Sequence, residues 1–380
     1  SFRRALALQP GYAEAHNNLG IILKQLGKLD DAVASYREAL IAKPDYVDAH
    51  SNLLLAEQYR LGHDAETLYE LHCEWDELHG RVFRAAWPQH SNIPEIDRRL
   101  RIGFVSPDLG RHPVGYFVVS LLETLQKNKI ETVAYSDRRA DDLTERIKKA
   151  TGVWRNVRGI PDEELTKTIR DDEIDILIDL NGHSAGNRLL VFARKPAPVQ
   201  VTWAGYIGTT GLSAIDYLVS DMHSTRVDEE KFYSEEVLRM PDGYVCYDPP
   251  DYAPDVGPLP FKRNGAITFG SFNNPSKLNA EVVSLWAQIL HQVSHSRLLI
   301  KYRGIDSATN IKRLTTMFEA KKIDQSRLNF EKFSPHTELL ARYNDVDIAL
   351  DPFPYSGGLT TLEAVWMIIS ALFNPFLCSS

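Results

Sequence analysis

Residues 346–367 read VDIALDPFPYSGGLTTLEAVWM: a short apolar run, a turn rich in Pro, Ser and Gly, then apolar residues at helical spacing. That order predicts a buried strand that delivers the chain into a tight turn and onward into a helix. Ser356, Gly357, Gly358, Thr360 and Thr361 fall between the two elements. Glycines let backbone N–H groups approach a ligand, hydroxyls can cap a helix, and a helix N-terminus carries partial positive charge, so a phosphate or diphosphate suits this place. Glu363, one turn inside, is placed to accept hydrogen bonds from ribose hydroxyls. The same residues also fit an ordinary capped turn with a surface glutamate, and spacing does not separate the two.

Working outward, residues 266–345 alternate strand-like and helix-like segments (AITFGSF, AEVVSLWAQILHQV, RLLIKY, TNIKRLTTMFEAKK, RLNFEKF, HTELLARYND). This is the pattern of a Rossmann-like half. Its first strand runs into GSFNNPSKLN, where Asn273, Asn274, Ser276 and Lys277 precede a helix. Lys277 there can neutralise a diphosphate leaving group, or can be a solvated lysine that the helix dipole disfavours. Upstream, RIGFVS, TVAYS, IDILIDL, VQVTWAG and IDYLVSD read as buried parallel strands of an earlier half, with SLLETLQKN, DLTERIKKA and EELTKTIRDD as helices. The Pro-, Gly- and Asp-rich stretch between the halves lacks periodicity and reads as a crossing between lobes. Two such halves enclose a cleft at the carboxyl ends of their strands.

In the first half, VSPDLGRHPVGYF places His112 in a loop after a strand, as a base for a hydroxyl nucleophile or as a packing residue. DLNGHSAGNR supplies His183 with Asn181 and Ser184 after another strand. WAGYIGTTG adds Tyr206, Gly208, Thr209 and Thr210 as a possible acceptor or sugar pocket, with Trp203 and Tyr206 equally readable as core. HExxH, a paired acidic metal loop and a GxSxG elbow are all missing, so metal-free chemistry is the simpler expectation.

The first 62 residues are of another kind. Pro10 and Pro44 stand 34 residues apart, each closing a helical stretch and each followed two residues on by Tyr12 or Tyr46. Leu19, Gly20, Ala32, Tyr36 and Ala39 occupy tetratricopeptide positions between them, the small ones where two helices approach closely and Tyr36 in the groove that is left. A second unit from Asp45 has Leu54 where a small residue belongs, the drift of a terminal repeat that packs on something else. The expected division is repeats 1–62, a helical linker 63–98 broken by Pro88 and Pro94, a first lobe 99–240, an interlobe linker 241–265, a second lobe 266–367 and a divergent tail 368–380.

Composition narrows the function. With 43 basic and 51 acidic residues, net −8, the chain lacks the basic balance of a nucleic-acid binder. No apolar run is long enough for a membrane span. Cys73, Cys246 and Cys378 are too scattered for a disulfide framework or zinc site, which suggests a reducing, cytoplasmic setting.

At FVSPDLGRHPVGYF, ILIDLNGHSAGNRLLVFARKPAPVQVTWAGYIGTTG, FGSFNNPSKL and DIALDPFPYSGGLTTLEAVWM the sequence resembles the O-GlcNAc transferase family and its plant SPINDLY-type relatives. The resemblance implies an α/β catalytic region of GT-B type, two Rossmann-like lobes preceded by an α-helical tetratricopeptide array. It implies inverting transfer of a sugar, from UDP-GlcNAc or alternatively GDP-fucose, to Ser or Thr hydroxyls of proteins, with no essential metal and no cofactor besides the donor. Protein or peptide acceptors would bind through the repeats and the cleft. By motif, His112 corresponds to a histidine near acceptor and sugar, with His183 a second catalytic candidate. Lys277 corresponds to the lysine on the diphosphate, Asn274 to the polar residue beside it, Glu363 to the acid on the ribose and Arg342 to a basic residue near the nucleotide. Gly358, Leu359 and Thr360 stand where animal relatives have His-Thr-Thr, which leaves the sugar open.

The chain opens mid-pattern without Met and departs from the family after Met367, so an incomplete second lobe is expected. In that reading the strand VDIALD has an unpaired edge, partly covered by Ile368, Ile369, Leu372, Phe373, Phe376 and Leu377. The chain would then be less stable than its relatives, prone to associate and weak as a transferase. An inactive adaptor acting through its repeats is the alternative from another class.

Overall fold

The computed structural model describes residues 2–93, 95, 97–128, 130–367 and 370–372. Five helices come first: α1 (Phe2–Leu8), α2 (Ala13–Gln25), α3 (Leu29–Ala42), α4 (Val47–Glu57) and α5 (Ala65–Trp75). α2 packs on α3 for the reason the repeat spacing implies. A Cβ on Gly20 would lie 2.5 Å from the Tyr36 ring, and Tyr36 and Ala39 are wholly buried. Leu54 is large because it faces a lobe rather than a neighbouring repeat: it joins a core cluster with Trp75, Leu189, Phe192 and Leu212. α5, capped by the Asp64 carboxylate on the Thr67 N–H at 2.8 Å, loosens into a π turn (Asp76–Gly80) and a 3-10 turn (Arg81–Ala86). Pro94, expected to break this helix, lies outside the described residues.

The first sheet has strands β1 (Arg101–Ser106), β2 (Glu131–Ser136), β3 (Val153–Asn156), β4 (Ile176–Asp179), β5 (Val199–Thr202), β6 (Tyr217–Asp221) and β7 (Glu236–Met240). They lie in the order β3-β2-β1-β4-β5-β6-β7, each pair parallel. Helices α6 (Pro113–Lys127), α7 (Asp142–Ala150), α8 (Asp162–Asp171) and α9 (Leu189–Ala193) connect the first five. After α10 (Pro260–Asn264) the second half adds β8 (Thr268–Ser271), α11 (Ala280–Gln292), β9 (Arg297–Lys301), α12 (Ala308–Glu319), β10 (Leu328–Glu331), α13 (His336–Tyr343), β11 (Ile348–Leu350), α14 (Leu359–Trp366) and β12 (Ser370–Leu372). Its order is β10-β9-β8-β11-β12, again all parallel.

Sequence periodicity overlooks β3 and β7. Both are sheet edges with exposed or half-exposed residues throughout, so neither carries the apolar run of a buried strand. The expected unpaired edge of β11 is also corrected: β12 pairs with it in parallel, Ile348 opposite Ser370 and Leu350 opposite Leu372. Ile368, Ile369, Phe373, Phe376 and Leu377 lie outside the described residues.

Each sheet reverses its strand order once near its centre, at β1/β4 and at β8/β11. Loops leaving the carboxyl ends there diverge and open a crevice. His112 follows β1, Asn273 to Lys277 follow β8, and Ser356 to Gly358 follow β11.

Four histidines fasten the repeats to the first lobe. His183 is buried; its Nε2–H donates to the Thr210 carbonyl at 2.8 Å, which leaves Nδ1 to accept from the Ser51 hydroxyl at 3.1 Å. His72 donates from Nδ1 to the Leu68 carbonyl at 2.6 Å and accepts at Nε2 from the Tyr206 hydroxyl at 2.7 Å. His50 and His79 meet at 3.0 Å. Burial pulls His50 and His72 down to about 4, lowers His79, and puts His183 well below the usual histidine range. A depressed folded pKa means stability that is complete above the unfolded value and is lost as pH falls from about 6.5 toward the folded values, at about 1.4 kcal/mol per pH unit for each histidine. The thermal midpoint is therefore expected to drop steeply between about pH 6.5 and pH 5. A flat midpoint over that interval would mean that these rings are hydrated and ionise freely.

Candidate functional site

In the second half, the 3-10 turn Pro275–Lys277 points the Lys277 side chain across the β8/β11 switch point, where Nζ donates to the Ser356 carbonyl at 2.7 Å. Behind this contact lies Asp351, at the end of β11. Its carboxylate accepts from the Gly357 N–H at 3.0 Å, the Thr361 hydroxyl at 3.1 Å and the Asn273 amide at 3.0 Å. A Cβ on Gly357 would sit 2.6 Å from the Asp351 carboxylate and 2.7 Å from the Asn273 side chain, so only glycine lets the turn close this tightly. Burial raises the Asp351 carboxyl, with Lys277 opposing, and burial pulls the Lys277 ammonium down to about 8, with Asp351 opposing.

Gly358 is the N-cap of α14 and no side chain caps the helix. The expected hydroxyl caps are thereby corrected: Thr361 serves Asp351, and Thr360 donates to Asn273 at 3.1 Å. The N–H groups of Gly358, Leu359 and Thr360 make no hydrogen bond among the described residues. They form a positive helix end open to an anion.

Glu363 is buried one turn along. His336, at the start of α13, contacts it through Nε2 at 2.7 Å, and the other ring nitrogen meets the Tyr252 hydroxyl at 2.8 Å and the Tyr116 hydroxyl at 3.1 Å. Burial raises the Glu363 carboxyl and His336 opposes the shift. Tyr116 belongs to α6, and Leu359 and Leu362 of α14 pack on the cluster that holds Phe104, Leu109 and Tyr116. The N-termini of α6 and α14 therefore face each other across the cleft.

His112 is the N-cap of α6. Its Nδ1 is turned inward, 3.6 Å from an Asp108 carboxylate oxygen, while the side chain as a whole stays 42% exposed. The same Asp108 oxygen accepts from the Asn181 amide at 2.8 Å, so the loops after β1 and β4 are tied together. Burial lowers the His112 pKa, Asp108 raises it and Arg138 lowers it. The ring is neutral at ordinary pH with Nε2 as its free edge, the state a base requires.

The other candidates are engaged by partners of their own. His183 lies between the repeats and the Thr210 loop, with both its ring nitrogens hydrogen-bonded there. Arg342 is clamped by Glu331 at 2.7 Å and by Asp345 at 2.5 Å. Glu331 ends β10 and Asp345 lies in the turn entering β11, so the two carboxylates hold the guanidinium from both sides of α13's last turn. Asn274 spends its side-chain oxygen on the Ser276 N–H at 3.0 Å, and its neighbour Asn273 is the one engaged with Asp351 and Thr360. Thr209 and Thr210 hold their loop to the buried Glu235, and Tyr206 is core.

Asp108, Asp351 and His336 were missed by sequence reading. Asp108 had a signal in its four-residue spacing to His112; His336 had none, since 27 residues separate it from Glu363. A 230 Å³ cavity adjoins the Ser356–Gly357 turn, walled by Gln58 and Tyr69 of the repeat region, Gly208 and Thr209 of the first lobe, and Tyr355 of the second.

Residues 77–254 match the family model of glycosyl transferase family 41, and residues 13–46 that of the tetratricopeptide repeat. A Solanum lycopersicum protein named probable UDP-N-acetylglucosamine–peptide N-acetylglucosaminyltransferase SPINDLY is 37% identical over 326 residues, covering 83% of this chain and 34% of that protein. The Arabidopsis thaliana protein of the same activity name, SEC, is 30% identical over 290 residues, 73% of this chain and 29% of its own length. The chain thus spans about a third of the length of these curated relatives. Among solved structures, a lysine-to-methionine mutant of Thermobaculum terrenum O-GlcNAc transferase superposes with a TM-score of 0.92 at 39% identity, over 98% of this chain and 71% of that one.

Proposed function

The chain belongs to glycosyl transferase family 41, the O-GlcNAc transferases, with their helical repeats and paired GT-B lobes, and on that premise we propose that it transfers N-acetylglucosamine from UDP-GlcNAc to Ser or Thr hydroxyls of proteins, with inversion. The observation that carries the reading is the facing pair of helix N-termini: His112 with Asp108 on α6, and the open amides of α14 beside Lys277 and Glu363. The acceptor oxygen attacks the anomeric carbon while the bond from that carbon to the phosphate oxygen breaks. His112 takes the hydroxyl proton at Nε2, and Asp108 steadies the resulting imidazolium. The electron pair leaves with the diphosphate, which Lys277 and the α14 amides neutralise. A single displacement inverts the anomeric centre. Glu363 holds the ribose once His336 yields one carboxylate oxygen.

Positive charge supplied by Lys277 and the helix end makes a divalent cation unnecessary in this scheme. The cavity beside Tyr355, open to the repeats, suits the acceptor segment or the transferred sugar. Incubating the chain with acceptor peptides and either UDP-GlcNAc or GDP-fucose, with and without EDTA, tests the reading by product mass. The expected result is N-acetylhexosamine addition that EDTA does not reduce. Fucose addition alone would reassign the donor, and loss of activity with EDTA would remove the metal-free scheme.

A further inference from the structure

We infer that Lys24, carried by the repeat helix α2, is a second donor-phosphate ligand beside Lys277, so that the repeat array builds part of the donor site itself. The placement begins at the end of α2. Gly27 lies directly against the Arg313 guanidinium, where a Cβ would come within 2.6 Å of its carbon. Arg313 donates to the carbonyls of Leu278 at 2.9 Å and Pro275 at 3.0 Å, the two residues that bracket the lysine turn. The last turn of α2 is therefore seated on the segment that carries Lys277.

Both ammonium groups lie against the Tyr59 ring. Lys24 Nζ lies 5.1 Å from the Tyr59 ring centroid, and Lys277 Nζ lies 5.8 Å from the same ring and 4.8 Å from that of Tyr355. The two tyrosine rings are 4.8 Å apart. Lys277 has the Ser356 carbonyl and the nearby Asp351; the Lys24 ammonium has no hydrogen bond or ion pair among the described residues, only the Tyr59 ring. Burial, and then Lys277, pull the Lys24 ammonium down to about 8. The two cations repel each other, and only Lys277 has a carboxylate, Asp351, acting on it; a diphosphate supplies the missing charge. The π-faces of Tyr59 and Tyr355 offset part of that repulsion.

This inference rests on the donor reading given above, and its test separates the two. Binding of UDP, uridine and inorganic pyrophosphate to the full chain is measured by calorimetry for the wild type, Lys24→Met and Lys24→Arg, with the KM for UDP-GlcNAc. The expectation is about 10-fold or greater weakening of UDP and pyrophosphate in Lys24→Met. Uridine binding and the thermal midpoint stay unchanged, KM rises more than kcat falls, and Lys24→Arg restores affinity. Wild-type UDP and pyrophosphate affinity in Lys24→Met would overturn the role of Lys24 and leave the donor reading standing. Failure of the wild type to bind UDP would remove the donor reading, and this inference with it.

Discussion

Lys277→Met is expected to lower kcat by about 10²–10³-fold or more, the loss seen when a preorganised charge on a developing anion is removed. Lys277 reaches the turn before α14 through the Ser356 carbonyl, and it stands against the half-buried Asp351. Methionine keeps an apolar stem beside Tyr59 and Tyr355. Asp351 keeps its three donors from Gly357, Thr361 and Asn273, and its already raised pKa lets it take up a proton when the lysine charge is gone. Folding should survive, with a thermal midpoint close to wild type. Single-turnover transfer and thermal unfolding on the same preparation check both halves. Wild-type turnover would take Lys277 out of the reaction.

His112→Ala is expected to cost about 10²–10⁴-fold in rate with little change in UDP affinity, since a general base acts on the acceptor and not on the nucleotide. The pH profile of kcat/KM sharpens the point. Burial holds the His112 pKa below the usual value, so the acid limb should fall below about pH 6.5. The alkaline limb should fall near 8, as the free enzyme loses the Lys277 proton. A His112→Gln variant keeps the ring position filled and should lose the acid limb. Persistence of that limb in His112→Gln would assign it to another group, and an unchanged rate would make His112 a capping residue of α6.

Sequence reading singles out both residues because a strand followed at once by a polar loop places that loop at the carboxyl edge of a parallel sheet, whatever folds around it. The same rule selected His183. The loop after β4 does lie at the sheet edge, but that edge is where the repeats dock, and Ser51 and Thr210 consume the ring nitrogens. Arg342 is likewise taken up by partners that spacing does not show, Glu331 and Asp345.

The sequence by itself determined the order of parts: a tetratricopeptide pair marked by Gly20 and Tyr36, then two alternating α/β halves, with glycine and polar residues after their central strands. These features are local, set by spacing, close helix approach and turn chemistry, and they survive in one dimension. Tertiary structure alone decided which polar residues share a site. Asp351 behind Lys277, His336 on Glu363 with Tyr116 and Tyr252, and Lys24 against Tyr59 are pairings across elements or across domains. Their cause is the burial of charge, which forces each desolvated group to find a partner wherever the chain crossings bring one, and no spacing rule records those crossings.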